Sequence, residues 1–216
     1  MIRELNSLDV LYLVAAGRWT LALTALAFLG GGLLGLLVML LRVMPARPVN
    51  WVATAYIQAI QGTPLLAQLF VFFFGFAIFG YRVSPWIAAG VAFSIYASAF
   101  LAEIWRGCIQ AIPKPQWESS AALGLGYLQQ LRYVIVPQAL RIAIPPTVGF
   151  LVQLVKNTSL ASAIGFIELT REGQITTGAT FRPLTVYGIV AVLYFCICFP
   201  LSQWSQRLER RLHVAH

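Results

Sequence analysis

Charge is what this sequence has least of. Of 216 residues only 10% are charged, against about a quarter in an ordinary soluble domain. So few charges cannot cover a water-facing surface, and with 59% hydrophobic residues and a mean hydropathy of +0.78 the chain reads as an integral membrane protein. Cysteine is scarce too. Cys108, Cys196 and Cys198 form neither a disulfide framework nor a metal-ligand spacing, and Cys196 and Cys198 would point to different faces of a helix. No Gly-x-x-x-x-Gly-Lys-Ser/Thr loop is present, which excludes the usual mode of nucleotide binding. Neither His-Glu-x-x-His nor Gly-x-Ser-x-Gly occurs. The two histidines, His213 and His216, lie in the C-terminal tail. With no catalytic constellation, no metal site and no cofactor site, the chain is not expected to be an enzyme. Residues 1–9 show no cleavable signal pattern. The net charge of +8 does not point to nucleic acid, because the basic residues stand at the ends of apolar runs rather than in a patch.

What is present is a series of membrane-length apolar runs. Trp19 to Leu41 is uncharged for 23 residues between Arg18 and Arg42, and a spanning helix needs about 20. Its Gly30, Gly31, Gly32 and Gly35 permit close approach of another helix. Pro48 to Tyr81 is uncharged for 34 residues, too long for one straight span. It reads as two helical pieces broken at Gly62-Thr63-Pro64. Pro64 removes a backbone donor and orphans a carbonyl one turn earlier, a defect tolerated in lipid only where protein or a polar cavity satisfies it. A third span covers Ser84 to about Trp105, ending near Glu103 and Arg106 at helical ion-pair spacing. A fourth runs from Tyr133 to about Val155 through Pro137, Pro145 and Pro146, and is expected to bend. Residues 157–182 read as a short helix and loop partly in the membrane. A fifth span runs from Pro183 to about Gln206, followed by a basic tail over 207–216. The fold class is thus an all-α membrane protein of about five spans in a single domain, 1–216. With the tail inside, nine of the basic residues fall on the inner side and six on the outer. The positive-inside rule then puts the N-terminus outside and the C-terminus in the cytoplasm.

The loop at about 107–132 is long for a mere connection. Pro113 and Pro115 end what precedes it, and Trp117 to Leu131 favours helix, with Glu118 near its start, where the helix dipole favours negative charge. On a 3.6-residue repeat Ala121, Ala122, Leu125 and Leu128 share a face. Glycine in a helix costs about 1 kcal/mol relative to alanine, so Gly124 marks a close contact or a turn between two short helices. The segment reads either as a docking helix for a cytoplasmic partner or as an amphipathic helix on the membrane surface.

Glu118-Ser-Ser-x-x-x-Gly124, nine further residues, and Val134-x-Val136-Pro137 resemble the loop of bacterial binding-protein-dependent ABC permeases. Further segments resemble their polar amino acid branch, the histidine/glutamine/arginine/cystine type. These are Tyr56 to Leu66, Ala102 to Gly107, Ile112 to Gln116, Pro137 to Arg141, Leu154 to Leu160 and Glu168 to Thr170. The resemblance covers nearly the whole chain in order. It implies a type I importer permease fold in the bacterial cytoplasmic (inner) membrane, with a cytoplasmic coupling helix over 116–131. It implies an identical or related second permease, a cytoplasmic ATPase dimer that carries ATP and magnesium, and an extracytoplasmic amino-acid-binding protein. Glu118, Ser119, Ser120, Ala121, Ala122, Gly124, Leu125 and Leu128 would meet the ATPase.

Gln61, Gly62, Thr63, Gln153, Asn157, Thr158, Ser159 and Glu168 are the candidates for the substrate pathway. Glu168 would hold an ammonium group unless it pairs with Arg171. Thr158, Ser159 and the Gly62-Thr63 backbone would take the carboxylate end. Several positions depart from the family pattern. Gln61 replaces an arginine, Pro115 a glycine, Ser119-Ser120 an Ala-Ala pair, Phe150 an asparagine and Asn157 an aspartate. Loss of the aspartate favours a neutral or zwitterionic substrate. The rival class is an ATP-independent secondary transporter or channel, for which only Glu168 and, more weakly, Glu103 offer a coupling acid.

Overall fold

A computed structural model describes residues 4–44, 46–78 and 80–213. Arg3, His216 and the side chains of Arg211 and His213, which enter the charge and tail readings, lie outside the described residues. All regular structure among them is helical.

Helix α1, Ser7–Val43, has 37 residues, about 55 Å at 1.5 Å per residue. It begins well before Trp19, so the expected span is only its C-terminal part. Two local features explain the earlier start. Asn6 and Asp9 form a reciprocal capping box, Asp9 N donating to Asn6 Oδ1 at 3.1 Å and Asn6 N to Asp9 Oδ2 at 3.0 Å. Arg18 lies over the Trp19 ring at 5.4 Å, so a single cation is accommodated on the helix surface instead of ending it.

Helices α2 (Arg47–Gln61) and α3 (Leu65–Ile78) meet at 96°. The break falls at Gly62-Thr63-Pro64, as the proline requires. The carbonyl that Pro64 orphans belongs to Ile60, and Gln68 Nε2 donates to it at 2.7 Å. The same amide also reaches Thr63 Oγ1 at 2.8 Å. One buried glutamine therefore satisfies the broken backbone within the protein.

Helix α4, Pro85–Gln110, is the centre of the bundle. Its Ala88, Ala89, Ala92, Phe93, Ala97 and Leu101 are buried against α1, α3 and the later helices. Small side chains permit this. A Cβ at Gly31 would lie 2.4 Å from the Ala97 Cβ and 2.9 Å from the Ser94 carbonyl oxygen, and one at Gly35 would lie 2.9 Å from the Ser98 carbonyl oxygen. The α1 glycines let two backbones touch where lipid supplies no other driving force.

The chain continues through α5 (Lys114–Ala122), α6 (Tyr127–Gln130), a π-helical turn (Leu131–Ile135) and α7 (Val136–Asn157). The wide turn precedes Pro137, where the ring would otherwise crowd the previous turn. Pro145 and Pro146 lie inside α7. A 3₁₀ segment (Thr158–Ile164), α8 (Leu169–Thr180) and α9 (Pro183–His213) complete the fold. Among the described residues four stretches are long and apolar enough to cross a membrane, and the bent α2–α3 pair reaches that length only when taken together.

Candidate functional site

Two regions carry the residues singled out in the sequence. The first is the α5–α6 loop. Helix α5 stops at Ala122 because Gly124 adopts φ +79°. Leu125 N donates to Ser120 O at 3.3 Å and Gly124 N to Ala121 O at 2.9 Å, the paired bonds of a Schellman termination. No atom crowds Gly124, so the glycine is present for its conformation and not for a close contact. Of the two roles expected for Gly124, the turn between two short helices is the one observed; the coupling helix expected over 116–131 is therefore interrupted, and Leu125 and Leu128 are not on the α5 face. Ser120 turns inward, 2% exposed, with Oγ donating to Trp117 O at 2.9 Å. Glu118, Ser119, Ala121 and Ala122 are exposed on α5, and Leu128 is 77% exposed on α6. Leu123, 80% exposed, joins them. Sequence reasoning missed it because a helical repeat placed it off the apolar face.

The loop is tied to the bundle. Tyr127 Oη donates to Val43 O, the last residue of α1, at 2.8 Å. Trp117 and Tyr127 stack at 6.2 Å, and Trp117 packs with Ile112 and Leu131 in a small core under the loop. Displacement of α5–α6 therefore bears on α1 and α4 through bonded and packed contacts.

The second region spans α2, α4 and α7. Gln61 Nε2 donates to Ala99 O at 3.4 Å, and Tyr56 Oη bonds Ser98 Oγ at 2.6 Å. One turn of α4 thus meets the end of α2. The same stretch meets α7 through aromatic rings. Tyr96 and Phe100 lie 4.5 Å apart, and Phe150 stacks on Phe100 at 5.7 Å. On α7, Gln153 Nε2 donates to Asn157 Oδ1 at 3.1 Å. Gln61, Gly62, Thr63 and Gln153 are exposed, and Asn157 and Ser159 are half-buried. Thr63 and Ser159 donate their hydroxyls to the backbone, to Ala59 O at 2.9 Å and Lys156 O at 2.7 Å.

Thr158 and Glu168 are not open to this region. Thr158 is fully buried, with Oγ1 donating to Val155 O at 2.7 Å. Glu168 is 0% exposed and N-caps α8, accepting from Thr170 N at 2.9 Å and Arg171 N at 2.8 Å. Tyr194 Oη of α9 adds a third bond at 2.8 Å. The side-chain pair with Arg171 does not form, because that guanidinium donates to Gln174 Oε1 at 2.8 Å. Neither acid offered for proton coupling stands free. Glu103 is bonded to Arg106, three residues on, at the loop end of α4, and Glu168 is sealed. Among the described residues no group of acids, histidines and cysteines is arranged to hold a metal.

Known proteins share this architecture. The L-cystine transport system permease protein TcyB of Bacillus subtilis (strain 168) is 41% identical over 195 residues, covering 90% of this chain and 83% of that one. The glutamine transport system permease protein GlnP of Escherichia coli (strain K12) is 38% identical over 204 residues, covering 94% and 93%. A crystal structure of an amino acid ABC transporter with histidines superposes with a TM-score of 0.90 at 34% identity, covering 97% of this chain and 100% of that one. The family model described as "Binding-protein-dependent transport system inner membrane component" matches residues 14–214. Four long apolar helices, a bent helix pair and an exposed loop of two short helices are thus the structure of a permease, and this chain belongs to the binding-protein-dependent transport system inner membrane component family.

Proposed function

We propose that the chain is the membrane-spanning subunit of an ATP-driven amino acid importer, and that energy enters it through the α5–turn–α6 loop. One observation carries the coupling role: the loop exposes Glu118, Ser119, Ala121, Ala122, Leu123 and Leu128 while Tyr127 binds it to the end of α1. An apolar, weakly charged projection with a fixed base fits a groove on a partner. That partner is a cytoplasmic ATPase dimer, which holds ATP and magnesium and hydrolyses ATP on behalf of this chain. A second permease, identical or related, completes the translocation path, and an extracytoplasmic binding protein delivers the substrate. The N-terminus lies outside and the tail inside, in keeping with the nine-to-six distribution of basic residues.

The substrate is an amino acid. Its path runs past Gln61, Gly62, Thr63, Gln153, Asn157 and Ser159, polar groups on or beside exposed faces of α2 and α7. With Glu168 sealed and an uncharged Asn157 beside Gln153, the path suits a zwitterion of neutral side chain. Co-purification with the ATPase, followed by ATP hydrolysis in proteoliposomes, tests this reading. Hydrolysis stimulated by the amino acid and its binding protein is expected. Uptake driven by an ion gradient without ATP would favour a secondary transporter.

A further inference from the structure

A cavity of about 490 Å³ lies between the loop and the ends of the membrane helices. Its walls come from two bodies. Arg42 and Asn50 belong to α1 and α2, and Gln110 ends α4. Lys114, Trp117 and Tyr127 belong to the α5–α6 loop. No acidic residue lines it, while Arg42 and Lys114 do. A smaller adjoining hollow adds Arg47 and Trp51. Arg42 is incompletely satisfied. Its Nη1 donates to Asn50 Oδ1 at 2.6 Å, but its Nε is buried with no acceptor. Glu103 lies near enough to feel the Arg42 charge, yet its carboxylate is bonded to Arg106. The buried Arg42 Nε is closed to a ligand, but the Arg42 guanidinium and Lys114 line the cavity and no acid does, so its charge favours an anion.

The position says which acceptor. The cavity sits where apolar α1 and α4 end, and stacked Trp117 and Tyr127 line it. Aromatic rings with a polar edge favour the headgroup level of a bilayer. Basic pockets between membrane helices at that level accept lipid phosphates. A free anion would leave Met44, 48% exposed, and half-buried Val43 in water, whereas a lipid covers them with its glycerol and first methylenes.

We infer that this cavity holds the phosphate of an anionic membrane lipid, which accepts from Lys114 Nζ and lies in the field of the Arg42 guanidinium. The lipid bridges the membrane helices and the loop, so its presence stiffens the joint through which the loop moves. That consequence rests on the coupling role proposed above; the binding itself does not.

Binding is therefore measured on the full-length permease without its ATPase. The protein in mild detergent is titrated with phosphatidylglycerol or phosphatidylcholine and followed by native mass spectrometry. The expected result is preferential retention of phosphatidylglycerol, weakened about fivefold by Lys114→Gln and restored by Lys114→Arg. Brominated phosphatidylglycerol is expected to quench a fluorescence component that Trp117→Phe removes. Equal retention of the two lipids, indifference to Lys114→Gln, or no Trp117 component would overturn the inference. So would displacement of the lipid by millimolar inorganic phosphate, which would identify a free-anion site. If lipid binds as expected while ATP-driven uptake fails to depend on the loop, the coupling reading alone falls.

Discussion

A carboxylate sealed inside a membrane protein is costly unless its oxygens are bonded. Glu168 meets that condition with two backbone N–H groups and the Tyr194 hydroxyl. It starts α8 and pins it to α9, and Leu169 N beside it donates to Thr20 Oγ1 of α1 at 3.2 Å. Replacing one carboxylate oxygen by an amide turns an acceptor into a donor that faces a donor. Glu168→Gln is expected to cost about 1–2 kcal/mol, read as a lower melting temperature in detergent. Uptake should fall with the folded fraction while the apparent KM for the amino acid stays unchanged. A raised KM at unchanged melting temperature would instead return Glu168 to the substrate. The bond from Tyr194 was hidden from the sequence because that partner lies 26 residues away. Ser120 was hidden for a similar reason: whether a serine in an exposed loop turns inward depends on the Trp117 core beneath it.

The breaks in the helices were more legible, since proline and glycine act through their own backbones. Pro64 located the α2–α3 bend and its orphaned carbonyl, and Gln58, Gln61, Thr63 and Gln68 were the polar side chains in reach of it, but the sequence did not say which would satisfy it. Gln68→Leu should therefore destabilise the bent pair by about 1–3 kcal/mol, whereas Gln68→Glu, which cannot donate when ionised, should be worse. Thermal unfolding of the detergent-solubilised variants checks the order. The α1–α4 contact makes a sharper comparison. Gly31→Leu drives a side chain into Ala97 and the Ser94 carbonyl and should reduce the yield of folded protein, by a strain of about 1–3 kcal/mol or more. Gly32→Ala, whose nearest neighbour would be the Trp105 ring at 3.9 Å, should be tolerated. Size-exclusion profiles of the two decide it; equal behaviour would mean that α1 and α4 pack differently. The start of α1 was misplaced because Arg18 was read as a boundary, while Trp19 and the Asn6–Asp9 cap let the helix run past it.

Across the molecule, the long apolar helices, the bend in the second apolar run and the exposed loop were all present in the pattern of apolar runs and breakers. What was not legible was which loop residues face out, since that depends on the stop at Gly124 and on the Tyr127–Val43 anchor. The central claim is that ATPase motion enters through this loop. ATP-driven amino acid uptake by proteoliposomes of the assembled transporter, compared between the unaltered chain and Gly124→Asp, tests it most directly. A side chain at φ +79° is strained, and a carboxylate added at this turn would disturb docking without touching the spans. The account predicts that Gly124→Asp inserts and remains folded but loses ATP-driven uptake and its hold on the ATPase. Uptake at the unaltered rate by a folded Gly124→Asp variant would contradict it.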